Sequence, residues 1–332
     1  MIHFLLIAKN IKKLPEAIET FGLISGHGLY LAKILFFFFW KRTAVMKIIE
    51  RLDQHFPHSN REQLKFRTTK HCKELKIFGR IILTVYGFTC FHFTYMPLIS
   101  LFSGQSIELI MPIYFPLDPL QPLLYPIFFI IQSGDILCMA LLSIAFDVLF
   151  CSLVCVVSMD FEVLAQKLSQ IDPESDLNAE KNLQEIVENY NNLIDIANEI
   201  EGIFSPLLLL YIFGAIFILC ASVFLVFTPI KLYLMVKFIP VLLTAMVQVF
   251  CLCFYGEKLQ TSSTRVADEA YNCNWYEKNF KFRKMILLTM LRTQQAQKLT
   301  GWKFMDVGLP VFYWILQTAH SYYSLLSGLY EA

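Results

Sequence analysis

The chain has 332 residues, of which 56% are hydrophobic and only 17% are charged. A soluble protein carries about a quarter of its residues as charges, so water is a poor solvent for most of this chain's surface. The formal net charge is +1, and the basic residues form no stripe of the kind that binds nucleic acid. Composition therefore excludes an ordinary soluble domain and favours a membrane protein with no nucleic-acid partner.

Six blocks of residues are apolar and long enough to cross a bilayer about 30 Å thick as helices. They cover residues 18–40, 77–96, 132–159, 203–227, 232–255 and 305–329. Backbone groups in lipid need partners within the same segment, and no period-two alternation indicates a barrel. The sequence predicts an all-α, polytopic helical bundle with six complete spans. A first helix is expected to be mostly missing upstream of Met1.

The orientation follows from Lys and Arg, which stay on the cytoplasmic side. Residues 41–76 contain ten of them and residues 256–303 contain nine, whereas residues 97–131 contain none. The first two segments are therefore predicted to be cytoplasmic. Alternation places residues 160–202 on the same side and the C-terminus outside the cell.

The cytoplasmic segments are themselves predicted to be helical. Apolar residues recur every three or four positions from Leu183 to Ile203, so a helix is expected to run from the cytoplasm into the span at residues 203–227. Asp172-Pro173 is expected to break the preceding helix. We divide the chain into transmembrane helices with their loops (1–255), cytoplasmic anchor helices (256–303) and a last, pore-lining helix (304–332).

Asp147 and Lys33 are charges inside predicted spans that need an explanation. Asp147 is either a contact for an ion or ligand or a hydrogen-bonding group between helices, and the sequence favours the second interpretation. Lys33 lies within two turns of Trp40 and is expected to extend its amine toward the inner interface.

Aromatic and small polar residues crowd the outer halves of the second, third and fourth helices of an expected seven. Such a lining suits a small apolar ligand that few polar groups orient, although ordinary helix packing explains it as well. The candidate ligand-binding residues are Ser25, Tyr30, Phe91, Thr94, Met139, Ser143 and Phe146.

The last helix carries a smaller, more polar stripe at helical spacing, formed by Gln317, Ser321, Ser324, Leu325 and Gly328. This stripe suits either a water-facing pore wall, with Leu325 as a hydrophobic gate, or close helix packing through small residues. Spacing alone favours neither. The chain shows no metal-ligand spacing, nucleophile motif or phosphate loop, so we predict no metal, no cofactor and no enzyme.

The C-terminal third carries a series of short motifs. They are, in order, Tyr255-Gly256-Glu257, Ser262-Ser263, Ala267, Trp275, Arg283-Lys284, Arg292-Thr293-Gln294-Gln295, Gly301, Phe304 and Ser321-Tyr322-Tyr323-Ser324-Leu325-Leu326. Asp147-Val148-Leu149-Phe150 and Phe161-Glu162-Val163-Leu164 extend the series upstream. Each motif is weak, but their ordered sum is specific, and it resembles the insect odorant receptor family.

The resemblance implies a seven-helix subunit of a tetrameric cation channel, formed with an obligate co-receptor in the plasma membrane and gated by volatile ligands. Its last helices would line the pore, and its cytoplasmic helices would anchor the subunits to one another. By position, Leu325 would form the gate, and Gly328 would lie near the outer selectivity position, where the co-receptor carries Gln. Gly328 also stands where gustatory receptors carry Gln, which favours an odorant receptor over a gustatory receptor channel. A secondary transporter remains the alternative from another class, although no internal repeat supports it.

Overall fold

The computed structural model of the chain describes residues 14–36, 41–55, 68–102, 110, 124–171, 179–227, 232–273, 275–277 and 279–331. Its helices, numbered here in chain order, are α1 (Leu14–Leu35), α2 (Arg42–His55), α3 (Thr68–Phe102), α4 (Tyr125–Ser169), α5 (Ala179–Phe227), α6 (Leu232–Asn272), α7 (Phe280–Thr293) and α8 (Leu309–Glu331). A 3-10 turn (Trp275–Glu277) and a two-stranded hairpin, β1 (Thr300–Gly301) and β2 (Met305–Asp306), lie on either side of α7.

The helical membrane bundle predicted from composition is confirmed. Four described helices, α3 to α6, are long and apolar enough to cross a membrane, and a shorter apolar stretch, Phe21–Leu35, lies in α1. Each of the six predicted spans coincides with a helix. Residues 1–13 and 37–40 and the break at residues 172–173 lie outside the described part of the chain, as does most of the 97–131 loop.

The helices that continue beyond the apolar segments are also confirmed. α5 is one continuous helix of 49 residues, and the periodic apolar residues Leu183, Ile186, Tyr190 and Leu193 are all buried. α4 runs on to Ser169. Phe161 of α4 packs edge-on against Tyr190 of α5, with ring centroids 5.6 Å apart. These extensions stay helical because each buries one apolar face against the other.

Two predicted helix boundaries are wrong. The span at residues 232–255 was expected to close at Tyr255-Gly256-Glu257, but α6 continues to Asn272 because Leu259, Val266 and Ala270 are buried. The last span was expected to begin at residue 305, but Met305–Asp306 is a strand, and α8 begins at Leu309.

The hairpin sets the start of α8 against α5. Trp302 and Lys303 have positive φ angles of 47° and 60°, and Phe304 N donates to Gly301 O at 2.9 Å, as in a type I′ turn. Trp302 N in turn donates to Ser205 Oγ of α5 at 2.8 Å. The turn therefore joins the chain before α8 to the middle of α5.

Candidate functional site

A cavity of about 210 Å³ lies among α1, α3, α4, α5 and α6. Its wall is mainly apolar, and includes Leu23, Phe93, Ile136, Met139, Ile218 and Val241. A smaller number of polar side chains also reach it. A concave, mainly apolar space with a few convergent polar groups is the usual form of a small-molecule site.

Helical periodicity explains which residues reach the cavity. On α1, Tyr30 and Lys33 are three residues apart, and on α4, Met139 and Ser143 are four apart, so each pair shares one helix face. The same spacing brings Tyr86, Thr89 and Phe93 of α3, and Val241, Thr244 and Gln248 of α6, to the wall.

Three of the seven candidate ligand-binding residues, Tyr30, Met139 and Ser143, line this cavity. The other four are not part of its wall. Phe91 is 63% exposed on the outside of α3, where it stacks on Tyr95 at a centroid distance of 5.2 Å. The sequence placed residues by depth in the membrane, whereas membership of the wall depends on helix rotation.

The remaining three candidates make other contacts. Ser25 Oγ donates to Phe21 O at 2.5 Å, and Thr94 Oγ1 donates to Cys90 O at 2.8 Å, so both hydroxyls bond to their own helices. Phe146 is buried outside the wall against Phe204, with ring centroids 5.8 Å apart.

A buried polar network, formed by Lys33, Tyr86, Asp147 and Gln248, joins four helices beside the cavity. Lys33 Nζ donates to Asp147 Oδ1 at 3.2 Å, and Tyr86 OH donates to Asp147 Oδ2 at 2.9 Å. Gln248 Nε2 donates to Asp147 Oδ2 at 2.8 Å and also to Tyr86 OH. We call these four residues the Lys33 network. Asp147 thus accepts hydrogen bonds from α1, α3 and α6.

The predicted position of the Lys33 amine at the inner interface is wrong. Lys33 is only 5% exposed, and its Nζ lies 4.7 Å from the centroid of the Tyr211 ring and 5.2 Å from that of Phe146. The amine stays inside because the Asp147 carboxylate and the two ring faces replace the water it loses.

Sequence reasoning missed several polar residues of the wall. Thr89 and Thr244 meet with their Oγ1 atoms 2.7 Å apart, and His27 Nε2, on another part of the wall, lies 3.0 Å from Asp135 Oδ2. The sequence shows His27 and Asp135 as polar residues in separate apolar spans, but only the fold shows that they pair. Within the described ranges no group of three His, Cys, Asp or Glu residues could hold a metal ion.

A tight contact joins α6 to the start of α8. A Cβ atom added to Gly256 would lie only 2.1 Å from Val307 O. Leu309 N, at the beginning of α8, donates to Glu257 Oε2 at 3.3 Å, so a carboxylate from α6 stabilises the N-terminus of α8. We call Gly256, Glu257, Val307, Gly308 and Leu309 the α6–α8 junction.

The polar stripe of α8 faces away from the rest of the described chain. Gln317, Ser321, Ser324, Leu325 and Gly328 are all exposed, and Leu325 retains 59% of its accessible surface. A Cβ atom at Gly328 would meet nothing within 4 Å. The stripe therefore makes no close packing contact with the described part of its own chain.

Comparison with known proteins identifies the family. The family model for the seven-transmembrane odorant receptors matches residues 13–320. Odorant receptor 85c of Drosophila melanogaster is 23% identical over 99% of this chain and 87% of its own length, and Odorant receptor 22c of the same species is 25% identical over 96% and 83%.

The fold is shared with a solved insect receptor. The olfactory receptor OR5 of Machilis hrabei, in complex with eugenol, superposes with a TM-score of 0.82 at 14% identity, over 95% of this chain and 82% of that one. The family model covers most of the chain, and the curated relatives agree with it along nearly its whole length. The chain belongs to the odorant receptor family, whose members are receptors and not enzymes.

Proposed function

We propose that this chain is the ligand-binding subunit of a cation channel that opens when a small volatile molecule enters the cavity among α1 and α3 to α6. The main support for this proposal is the cavity, which is mainly apolar and lies within a helical membrane bundle. Binding energy there would shift the equilibrium between closed and open states. The partner would be the odorant co-receptor, in a heterotetramer in the plasma membrane.

A route from ligand to pore supports the proposal. Val241, Thr244 and Gln248 of α6 line the cavity, and the same helix reaches the start of α8 through the α6–α8 junction. A ligand that displaces α6 would therefore move the base of α8. The exposed stripe of α8 would face the pore in the assembled channel, with Leu325 as the gate. Residues 256–303 would anchor the subunits on the cytoplasmic side.

Whole-cell current tests the channel. We expect volatile-evoked cation current only in cells that express both this chain and the co-receptor. Gly328→Gln should change the relative permeability of cations, since a Cβ there meets no neighbour and the new amide would project into the pore. Gly328→Ala is the matched control, because it adds bulk without polarity. If Gly328→Gln leaves the ion selectivity unchanged, Gly328 does not line the pore.

The proposed orientation has its own test. An epitope after Ala332 should bind antibody on intact cells, whereas an epitope inserted between α4 and α5, at residues 172–178, should need permeabilised cells. These results are expected because the Lys- and Arg-rich segments, residues 41–76 and 256–303, remain in the cytoplasm. Labelling of the inserted epitope on intact cells would show that the topology is the reverse of the one proposed.

A further inference from the structure

One wall of the cavity carries hydrogen-bond donors that the protein does not use. A Lys ammonium has three N–H groups. Of those on Lys33, a single one meets an oxygen acceptor within the described residues, Asp147 Oδ1. The amine otherwise lies over the rings of Tyr211 and Phe146. Lys33 is thus a charged donor with capacity left, and it lines the cavity.

Tyr211 of α5 supplies a second unused donor on the same wall. The side chain is 2% exposed, and its hydroxyl has no hydrogen-bond partner among the described residues. An unpartnered buried hydroxyl costs about 1–3 kcal/mol. The hydroxyl oxygen itself has almost no accessible surface, so a ligand that moves in against it and accepts its hydrogen bond would recover part of that loss.

Several other polar groups of this wall already have partners within the protein. Tyr86 OH donates to Asp147 and accepts from Gln248. Thr244 Oγ1 donates to Pro240 O at 2.8 Å, and Thr89 Oγ1 is 2.9 Å from Val85 O. Among the buried side chains of this wall, those with unused hydrogen-bonding capacity are Lys33 and Tyr211, and both can donate.

We infer that the cavity selects neutral volatiles that carry a carbonyl oxygen, and that Lys33 and Tyr211 hydrogen-bond that oxygen. This inference rests on the proposed function, because it assigns a ligand class to the same cavity. Lys33 and Asp147 already compensate each other, so a carboxylate ligand would add an unbalanced charge to an apolar site, and an ammonium ligand would meet Lys33. Short ketones and aldehydes satisfy both donors without adding charge.

A short, neutral ketone is the simplest probe of this ligand class. Butyl methyl ketone carries a single carbonyl group on a short apolar chain.

The test compares molecules of the same shape. Butyl methyl ketone is paired with the alkene in which a methylene group replaces the carbonyl oxygen, and hexanoate serves as the charged analogue. Each is tested on the complete complex with the co-receptor, by current and by the unfolding midpoint of the purified complex. We expect the ketone to act at about 10- to 100-fold lower concentration than the alkene, and hexanoate to be inactive.

Tyr211→Phe isolates one of the two donors. It keeps the ring beneath Lys33, and it should weaken ketone binding by about 2- to 10-fold while leaving the alkene unchanged. Tyr190→Phe is the matched control, because that hydroxyl is also buried without a partner on α5 but lies outside the cavity. The control should bind ketone as the unchanged chain does.

The outcomes separate this inference from the channel proposal. If the ketone raises the unfolding midpoint more than the alkene but evokes no current, the carbonyl inference stands and the channel proposal fails. If ketone and alkene act at equal concentrations, or the ketone does not bind, the carbonyl inference is overturned even where other volatiles open the channel. Equal ketone binding by Tyr211→Phe and Tyr190→Phe would also overturn the part assigned to Tyr211.

Discussion

Lys33→Met is expected to lower the free energy of unfolding by about 3–5 kcal/mol. The substitution removes the positive partner of Asp147, which is only 2% exposed and would remain as an uncompensated charge inside the bundle. Tyr86 and Gln248 still donate to the carboxylate, but neither carries a charge. The purified complex should show a lower unfolding midpoint, and less of the chain should reach the cell surface.

A double-mutant cycle distinguishes lost pairing from lost packing. Asp147→Asn alone leaves Lys33 without its anion and should also destabilise the chain. The double variant, Lys33→Met with Asp147→Asn, holds no unpaired charge and should recover most of the lost stability, so the two effects are strongly non-additive. Lys47→Met, at an exposed position on α2, is the matched control and should be close to neutral. Additive effects in the cycle would show that the ion pair contributes little.

The sequence indicated the two charges, Lys33 and Asp147, but did not predict that they form a pair. Both charges stood out, because each interrupts an apolar span. Their pairing did not, because 114 residues separate them and the relative rotation of α1 and α4 is a property of packing. The sequence therefore identified Asp147 as a polar group to be explained but directed the Lys33 amine to the membrane interface instead of into the bundle.

Local patterns predicted the helices well because each apolar block must satisfy its own backbone hydrogen bonds. The cavity was harder, because membership of its wall depends on helix rotation. Tyr30, Met139 and Ser143 line it, whereas Phe91, at a similar depth, lies on the outer surface of α3. Gln248 and Tyr211 were not singled out, since a single polar residue in an apolar span has many explanations.

The position at which α6 ends was predicted wrongly for a different reason. Gly256 was expected near a helix terminus, where glycine is common. It instead lies inside α6, where the missing side chain lets the backbone at Val307 approach closely. Glycine at a close approach and glycine at a helix end look alike in a single sequence, and only the long-range contact separates them.

Gly256→Ala is therefore expected to disrupt the α6–α8 junction. The added Cβ would lie 2.1 Å from Val307 O and 3.0 Å from Val307 C, and these backbone atoms cannot rotate away as a side chain can. α6 and α8 must separate, which also strains the hydrogen bond from Leu309 N to Glu257 Oε2. Overpacking of this kind costs about 1–3 kcal/mol or more. We expect a lower unfolding midpoint and loss of ligand-evoked current.

Gly79→Ala supplies the matched comparison for that loss. Gly79 also lies inside a helix, α3, but a Cβ atom there would meet nothing within 4 Å. Alanine favours the helix over glycine by about 0.5–1 kcal/mol, so this variant should be neutral or slightly more stable. If Gly256→Ala folds and conducts as Gly79→Ala does, the close approach of Val307 is not required. If Gly256→Ala folds and binds ligand but does not conduct, the cavity still functions while the pore no longer responds to it. That result would show that the α6–α8 junction transmits ligand binding to α8.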